Sequence, residues 1–264
     1  DFTEPVVLGY SHEAWRFQPT TPWESVTTDP VSFQNTREEA PKNVGGDLQI
    51  GTFNVLNYFT TLGDDVDGCT SYDDRDGNPI SVRGGCDLRG AYTEESFKRQ
   101  QSKLVEAIST SGADVVGLME IENSARLGET PDEATANLVD ALNARDGKGT
   151  WAYLPTADVY KAAGKDGGQD AITNAIIYKP ELAQPKGSAD ILMDSPAFSN
   201  AREPIGQVFE PVNAEGQKGD DFFFVVNHFK SKGSKDSYDA SLPEDPVQGN
   251  ARTSRQLQAD ALAA

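Results

Sequence analysis

Apolar runs of strand length alternate along this chain with longer stretches whose apolar residues recur every three or four positions. Leu48–Val55 (LQIGTFNV) and Asp114–Met119 (DVVGLM) read as buried strands. Trp151–Leu154, Ala171–Tyr178, Gln207–Glu210 and Phe222–Asn227 read as further strands. Phe97, Gln101, Leu104, Val105 and Ile108 share one helical face, so the spacing predicts a helix over about 94–111. Thr93 suits its N-cap, Glu94 and Glu95 its positive end and Gly112 its stop. A second helix is predicted over about 131–144. Thr130 and Glu133 are spaced as a capping box, and Ala134, Leu138, Ala141 and Leu142 face inward. A last helix starts near Asn250. Buried strands mixed with amphipathic helices predict the α/β class, built as a layered sandwich.

Punctuation divides the chain. Residues 1–45 hold five prolines and little sustained periodicity. Val6–Tyr10 and Ala14–Phe17 fit short strands, and the remainder reads as an extended arm or the tail of an upstream domain. Gly45–Gly46 then opens a main domain over 46–264. Within it, residues 63–90 form a long polar loop carrying Cys69 and Cys86. A disulfide between these two is the reading their polar surroundings favour over a pair of buried thiols. Asp64, Asp65, Asp67, Asp73, Asp74 and Asp76 crowd the same loop. Their spacing departs from the alternating acids of a calcium loop, so a solvated acidic loop is expected.

Composition narrows the partners. With 42 acidic and 23 basic residues the net charge is −19, which excludes coating nucleic acid by bulk attraction. It leaves open a local site helped by cations. No apolar run approaches the ~20 residues of a membrane-spanning helix. The chain starts at Asp1 without a signal-like segment and reads as a mature or trimmed product. Only two histidines, His12 and His228, are on hand for chemistry.

Three apolar strands are expected to end in polar residues: Asn54 in the first, Glu120 after the second, Asn227–His228 after the third. Such ends gather at one edge of a layered fold. Asn54 and Glu120 offer hard oxygen ligands of the kind Mg²⁺ takes while keeping waters for a phosphate. His228 can hydrogen-bond or protonate a phosphate oxygen. After it, Phe229–Lys235 holds three lysines and no acid, a local phosphate-binding patch that includes Lys230, Ser231 and Ser234. Lys98, Arg99 and Lys103 read instead as the wet face of their helix.

The segments TFNVLNYFTTL (52–62), RGAYTEESFKRQQSKLVEAI (89–108), ADVVGLMEIEN (113–123), NAIIYKP (174–180), AREP (201–204) and NHFKSKG (227–233) occur in this order. Together they resemble the secreted bacterial branch of the endonuclease/exonuclease/phosphatase superfamily, the deoxyribonuclease I-like group, over residues 46–264. The resemblance implies a two-sheet α/β sandwich and metal-dependent hydrolysis of phosphodiester bonds in DNA, with RNA as a further substrate. It implies Asn54 and Glu120 at the metal, with Mg²⁺ (or Ca²⁺ or Mn²⁺) as cofactor. His228 falls on the histidine of the scissile phosphate, Arg202 on a position near the substrate phosphates, and Asn174 in the cleft wall. The family's pattern continues with an Asp-x-Asn pair and an Asp–His pair that activates water, and neither follows His228 here. The chain is therefore expected to be the N-terminal portion of a truncated catalytic domain whose C-terminal part lies elsewhere. The same fold also serves phosphomonoester or phospholipid cleavage, and a non-catalytic binding module is the reading from another class.

Overall fold

The computed structural model describes the chain except residues 23, 24, 26–28, 30, 39, 40, 43, 214, 234 and 244, so Ser234 of the basic segment lies outside the described residues. The chain forms two compact units, Asp1–Pro41 and Lys42–Ala264. In the first, β1 (Val6–Ser11) and β2 (Ala14–Pro19) pair antiparallel from Val6↔Pro19 to Ser11↔Ala14. His12 and Glu13 make the turn with φ of 51° and 59°, the left-handed pair that matches the twist of a two-residue hairpin. His12 is thereby a turn residue of this hairpin.

The second unit runs β3 (Ile50–Tyr58), β4 (Thr70–Asp73), β5 (Pro79–Gly84), α1 (Glu94–Thr110), β6 (Val115–Glu122), α2 (Glu133–Asp146), β7 (Ala152–Tyr153), α3 (Ala157–Ala162), β8 (Ile172–Tyr178), β9 (Ala183–Ile191), β10 (Ile205–Pro211), β11 (Phe222–Val226) and α4 (Arg252–Ala263). One sheet has the order β3-β6-β8-β7 and the other β11-β10-β9. The strands β3 and β6 are parallel, and β8 returns antiparallel beside β6. The class is mixed α/β. The loop over 63–90 contains an unexpected hairpin, β4–β5, closed by the Cys69–Cys86 disulfide. Asp74, one of its clustered acids, serves the turn by accepting from the backbone of Asp76 and Asn78.

Two cores sandwich the larger sheet. On one face Leu104, Val105 and Ile108 of α1 and Leu138 and Leu142 of α2 pack against Val55, Val116, Leu118 and Ile121. On the other face Val115, Ile176 and Tyr178 meet Ile205, Phe209, Phe224 and Val226 of the second sheet. The approach is close at Gly117, where a Cβ would stand 2.9 Å from Val226 Cγ2. Thr93 caps α1 as expected, accepting from Ser96 N–H. The capping box of α2 is only half formed. Glu133 reaches back to the Thr130 N–H, while Asp132 sits at the cap with φ 62° and turns its carboxylate to the first turn of α3.

Candidate active site

β11 ends at Val226, just before Asn227–His228 as expected, but β3 and β6 do not end at Asn54 and Glu120. Both β3 and β6 run on past Asn54 and Glu120, and each slips register there: between Asn54 and Tyr58, and between Met119 and Ile121. The alternation of faces explains the slip. Val116 and Leu118 face the helices, so a regular strand would drive Glu120 into that core. Instead Glu120 takes a left-handed conformation, φ 64°, and Ile121 fills the core position. In β3, Leu56 and Asn57 do the same with φ of 53° and 52°, and Tyr58 resumes the core after Val55. Such β-bulges re-aim side chains. Non-glycine residues in this region store of order 1–3 kcal/mol, which the surrounding packing must hold. Gln100 of α1 does part of that work, donating to the carbonyls of Val55 and Leu56 at 3.0 and 2.8 Å.

Bulging brings Asn54 Nδ2 to 2.7 Å from Glu120 Oε1, while Asn54 Oδ1 accepts from Leu56 N–H. His228, just beyond β11, points Nε2 at the same Glu120 oxygen from 3.7 Å, too far for a hydrogen bond. Its Nδ1 is buried with no hydrogen-bond partner. Arg202 and Asp170 complete the group. Arg202 Nε stands 3.2 Å from Asp170 Oδ2 without hydrogen-bond alignment, and Arg89 donates to Asp170 Oδ1 at 2.6 Å. Burial, then the Arg202 charge, holds the His228 pKa below its ordinary value, against the opposing pull of Glu120 and Asp170. The imidazole is therefore neutral at neutral pH.

Asn54, Glu120, His228 and Arg202 thus come together. Asn174 does not: it is buried, and its amide donates to the Glu203 carbonyl, so it ties β8 inside the fold. In the basic segment, the Lys230 N–H donates to Gln258 of α4 and Lys235 Nζ to the Leu242 carbonyl. Ser231 is exposed, and neither Lys230 nor Lys232 has an ion pair among the described residues. Arg99 and Lys103 are more than a wet helix face. With Arg89 and Asn54 they line a pocket of about 660 Å³. Lys98 does pair outward, with Glu94.

Asp170 and Arg89 are the site residues the sequence reading left out. Arg89 opens the RGAYT segment, and Asp170 stands four residues before Asn174, so both lay beside motifs already singled out. Glu122 and Asn123 are scaffolding. Glu122 accepts from Thr61 N–H and Ser124 Oγ, and Asn123 donates to the Asp170 carbonyl at 2.9 Å, fixing Asp170 just before β8. No protein-family model, curated protein or solved structure significantly matches the chain.

Proposed function

We propose that the protein is an extracellular, divalent-metal-dependent phosphodiesterase that cleaves DNA, on a deoxyribonuclease I-like sandwich. The observation that carries this is the convergence of Asn54, Glu120 and His228 from three strands, with Arg202 beside them, in a chain of net charge −19. Anionic substrate has little to gain from the molecule as a whole, and a great deal from this one locus. Two packed sheets, one of them covered by α1 and α2, support this reading. The disulfide suits an oxidising compartment.

The donor set fits one hard cation held on few protein ligands. Glu120 supplies a carboxylate, and Asn54 Oδ1 keeps a second lone pair after accepting from Leu56. Among the described residues no three His, Cys, Asp or Glu gather into a closed metal cage. A site of this kind leaves room for waters and a phosphate, as Mg²⁺ prefers, and Ca²⁺ and Mn²⁺ are the other ions to try. When bound, such a cation offsets the negative charge that builds on the phosphoryl oxygens. The chain's own residues do the rest. Arg202 offers a cation to the phosphate from a half-buried position held by Asp170. The neutral His228 offers Nε2 to a phosphate oxygen, and an anion at that place favours the imidazolium that can protonate a leaving oxygen.

Plasmid DNA degradation with and without Mg²⁺ tests the reading. His228→Ala and Glu120→Ala are each expected to lose at least about a hundredfold in rate, in line with general-acid and charge-stabilising roles. Undiminished cleavage by either variant would remove the site. Cleavage of a phosphomonoester in preference to DNA would redirect the reading to a phosphatase.

A further inference from the structure

The pocket beside Asn54 has a composition at odds with the rest of the molecule. Three cations line it, Arg89, Arg99 and Lys103, and no Asp or Glu does. The chain overall carries nearly two acids for each base. Its remaining wall is mostly apolar: Leu56 from the β3 bulge, Tyr72 and Ile80 from the β4–β5 hairpin. Leu56 and Tyr72 are 72% and 56% exposed, large apolar groups held in water rather than turned inward. Leu56 is held there in a left-handed conformation. Two of its three cations are only loosely engaged. Arg99 meets Glu95 at 3.5 Å in a solvent-exposed pair, which contributes little, and Lys103 has no ion pair among the described residues. Arg89 is held by Asp170, the carboxylate that also faces Arg202. Asp74 at the hairpin turn is a further acid that feels Arg99.

An apolar, aromatic-walled pocket rimmed by cations and opening at a phosphodiester site fits one chemistry: a nucleobase with its phosphates. A volume of about 660 Å³ lies in the range of small-molecule sites and is ample for one nucleotide. We propose that this pocket receives the unpaired nucleotide next to the scissile phosphate. The base lies against Leu56, Tyr72 and Ile80, and the flanking phosphates lie on Arg89, Arg99 and Lys103. The preferred substrate is accordingly single-stranded nucleic acid or a strand with an unpaired nucleotide, because a base inside a duplex must be unstacked before it can enter. This inference rests on the phosphodiesterase reading of Asn54, Glu120 and His228.

The test uses the whole chain carrying His228→Ala, so that DNA survives in Mg²⁺, and a fluorescein-labelled 12-nucleotide DNA strand, free or annealed to its complement. Anisotropy is expected to show the single strand binding about tenfold or more tighter than the duplex. Adding Tyr72→Ala, or Arg99→Ala with Lys103→Ala, is expected to erase about tenfold of the single-strand affinity and leave duplex binding almost unchanged, as loss of one stacked base or of phosphate contacts does. Tyr72 is exposed, so its truncation leaves the fold intact, and circular dichroism checks this. Equal affinity for the two forms, or unaltered single-strand binding in both variants, would overturn the pocket assignment while leaving the cleavage site standing. Persistent cleavage by His228→Ala is the separate result that overturns the phosphodiesterase reading.

Discussion

Glu203 and Asp170 are neighbours of the same site with opposite electrostatic situations. Asp170 faces two guanidinium groups, and its carbonyl is fixed by Asn123. Glu203 is buried, with an oxygen where a Cβ on Gly168 would come within 2.8 Å. Burial holds its carboxyl above the usual range, against the backbone N–H groups of Glu203 itself and of Gln169. With the folded value raised, the folded protein binds more protons than the unfolded chain between the two values, so stability falls as pH rises through that window. Glu203→Gln removes the ionisation. Melts from about pH 4 to about pH 7 are expected to show the variant losing less stability than the parent, its advantage growing toward neutrality. Parallel pH slopes would mean that Glu203 is not the group responsible. Nothing in the sequence marks this residue, since AREP reads as a substrate motif and its Glu turns out to be interior.

Elements are where the site acquires its shape. The bulges let each strand keep its apolar face in the core, turning Leu56 and Asn57 away from it in β3 and Glu120 in β6. Neither bulge was legible as such. Asn54 and Glu120 broke the apolar pattern, and a break looks like a strand end when only the period is visible. The strand β9 was missed for a related reason. It carries Pro185 and Gly187, residues that weaken a strand pattern, yet β9 is the edge of its sheet, where proline is tolerated, and Gly187 sits at φ 76° in a register slip opposite β10. By contrast α1 and α2 were plain, because their long 3.6-residue periods bury Leu104, Ile108, Leu138 and Leu142. The gap between the two sheets has its own demand at Gly117, with Val226 and Phe224 against the vacant Cβ position. Gly117→Ala is expected to lower unfolding free energy by about 1–3 kcal/mol, read from urea titration, as overpacked cores do. An unchanged midpoint would show that the sheets can part without cost.

At the scale of the whole molecule the chain is two units, Asp1–Pro41 with its hairpin and Lys42–Ala264 with its two sheets. The pairing of β1 with β2 needed the His12–Glu13 turn to be recognised. Sheet order was beyond reach, because strand partners are chosen by packing between residues far apart in sequence. Residues 44–47 are exposed, and Gly45 and Gly46 both have positive φ. Limited trypsin digestion is therefore expected to cut first after Arg37 or Lys42 and leave a stable fragment starting near residue 43, identified by mass spectrometry. That fragment should melt as one transition. Early cuts inside β3 to β11 would show instead that the second unit does not hold together on its own.

The β4–β5 hairpin is one wall of the pocket, and the Cys69–Cys86 bond ties its two flanks together. Val82 and both cysteines pack with Phe59, Leu88 and Ile172, and Tyr92 Oη donates to the Cys69 carbonyl. A free loop of this length would have to be ordered each time a ligand arrived, and that ordering would be subtracted from the affinity. Here the ordering is completed once, when the sulfurs join. A nucleotide entering the proposed pocket would meet a wall already tied in place, so the cost of ordering this loop would not be subtracted from its affinity.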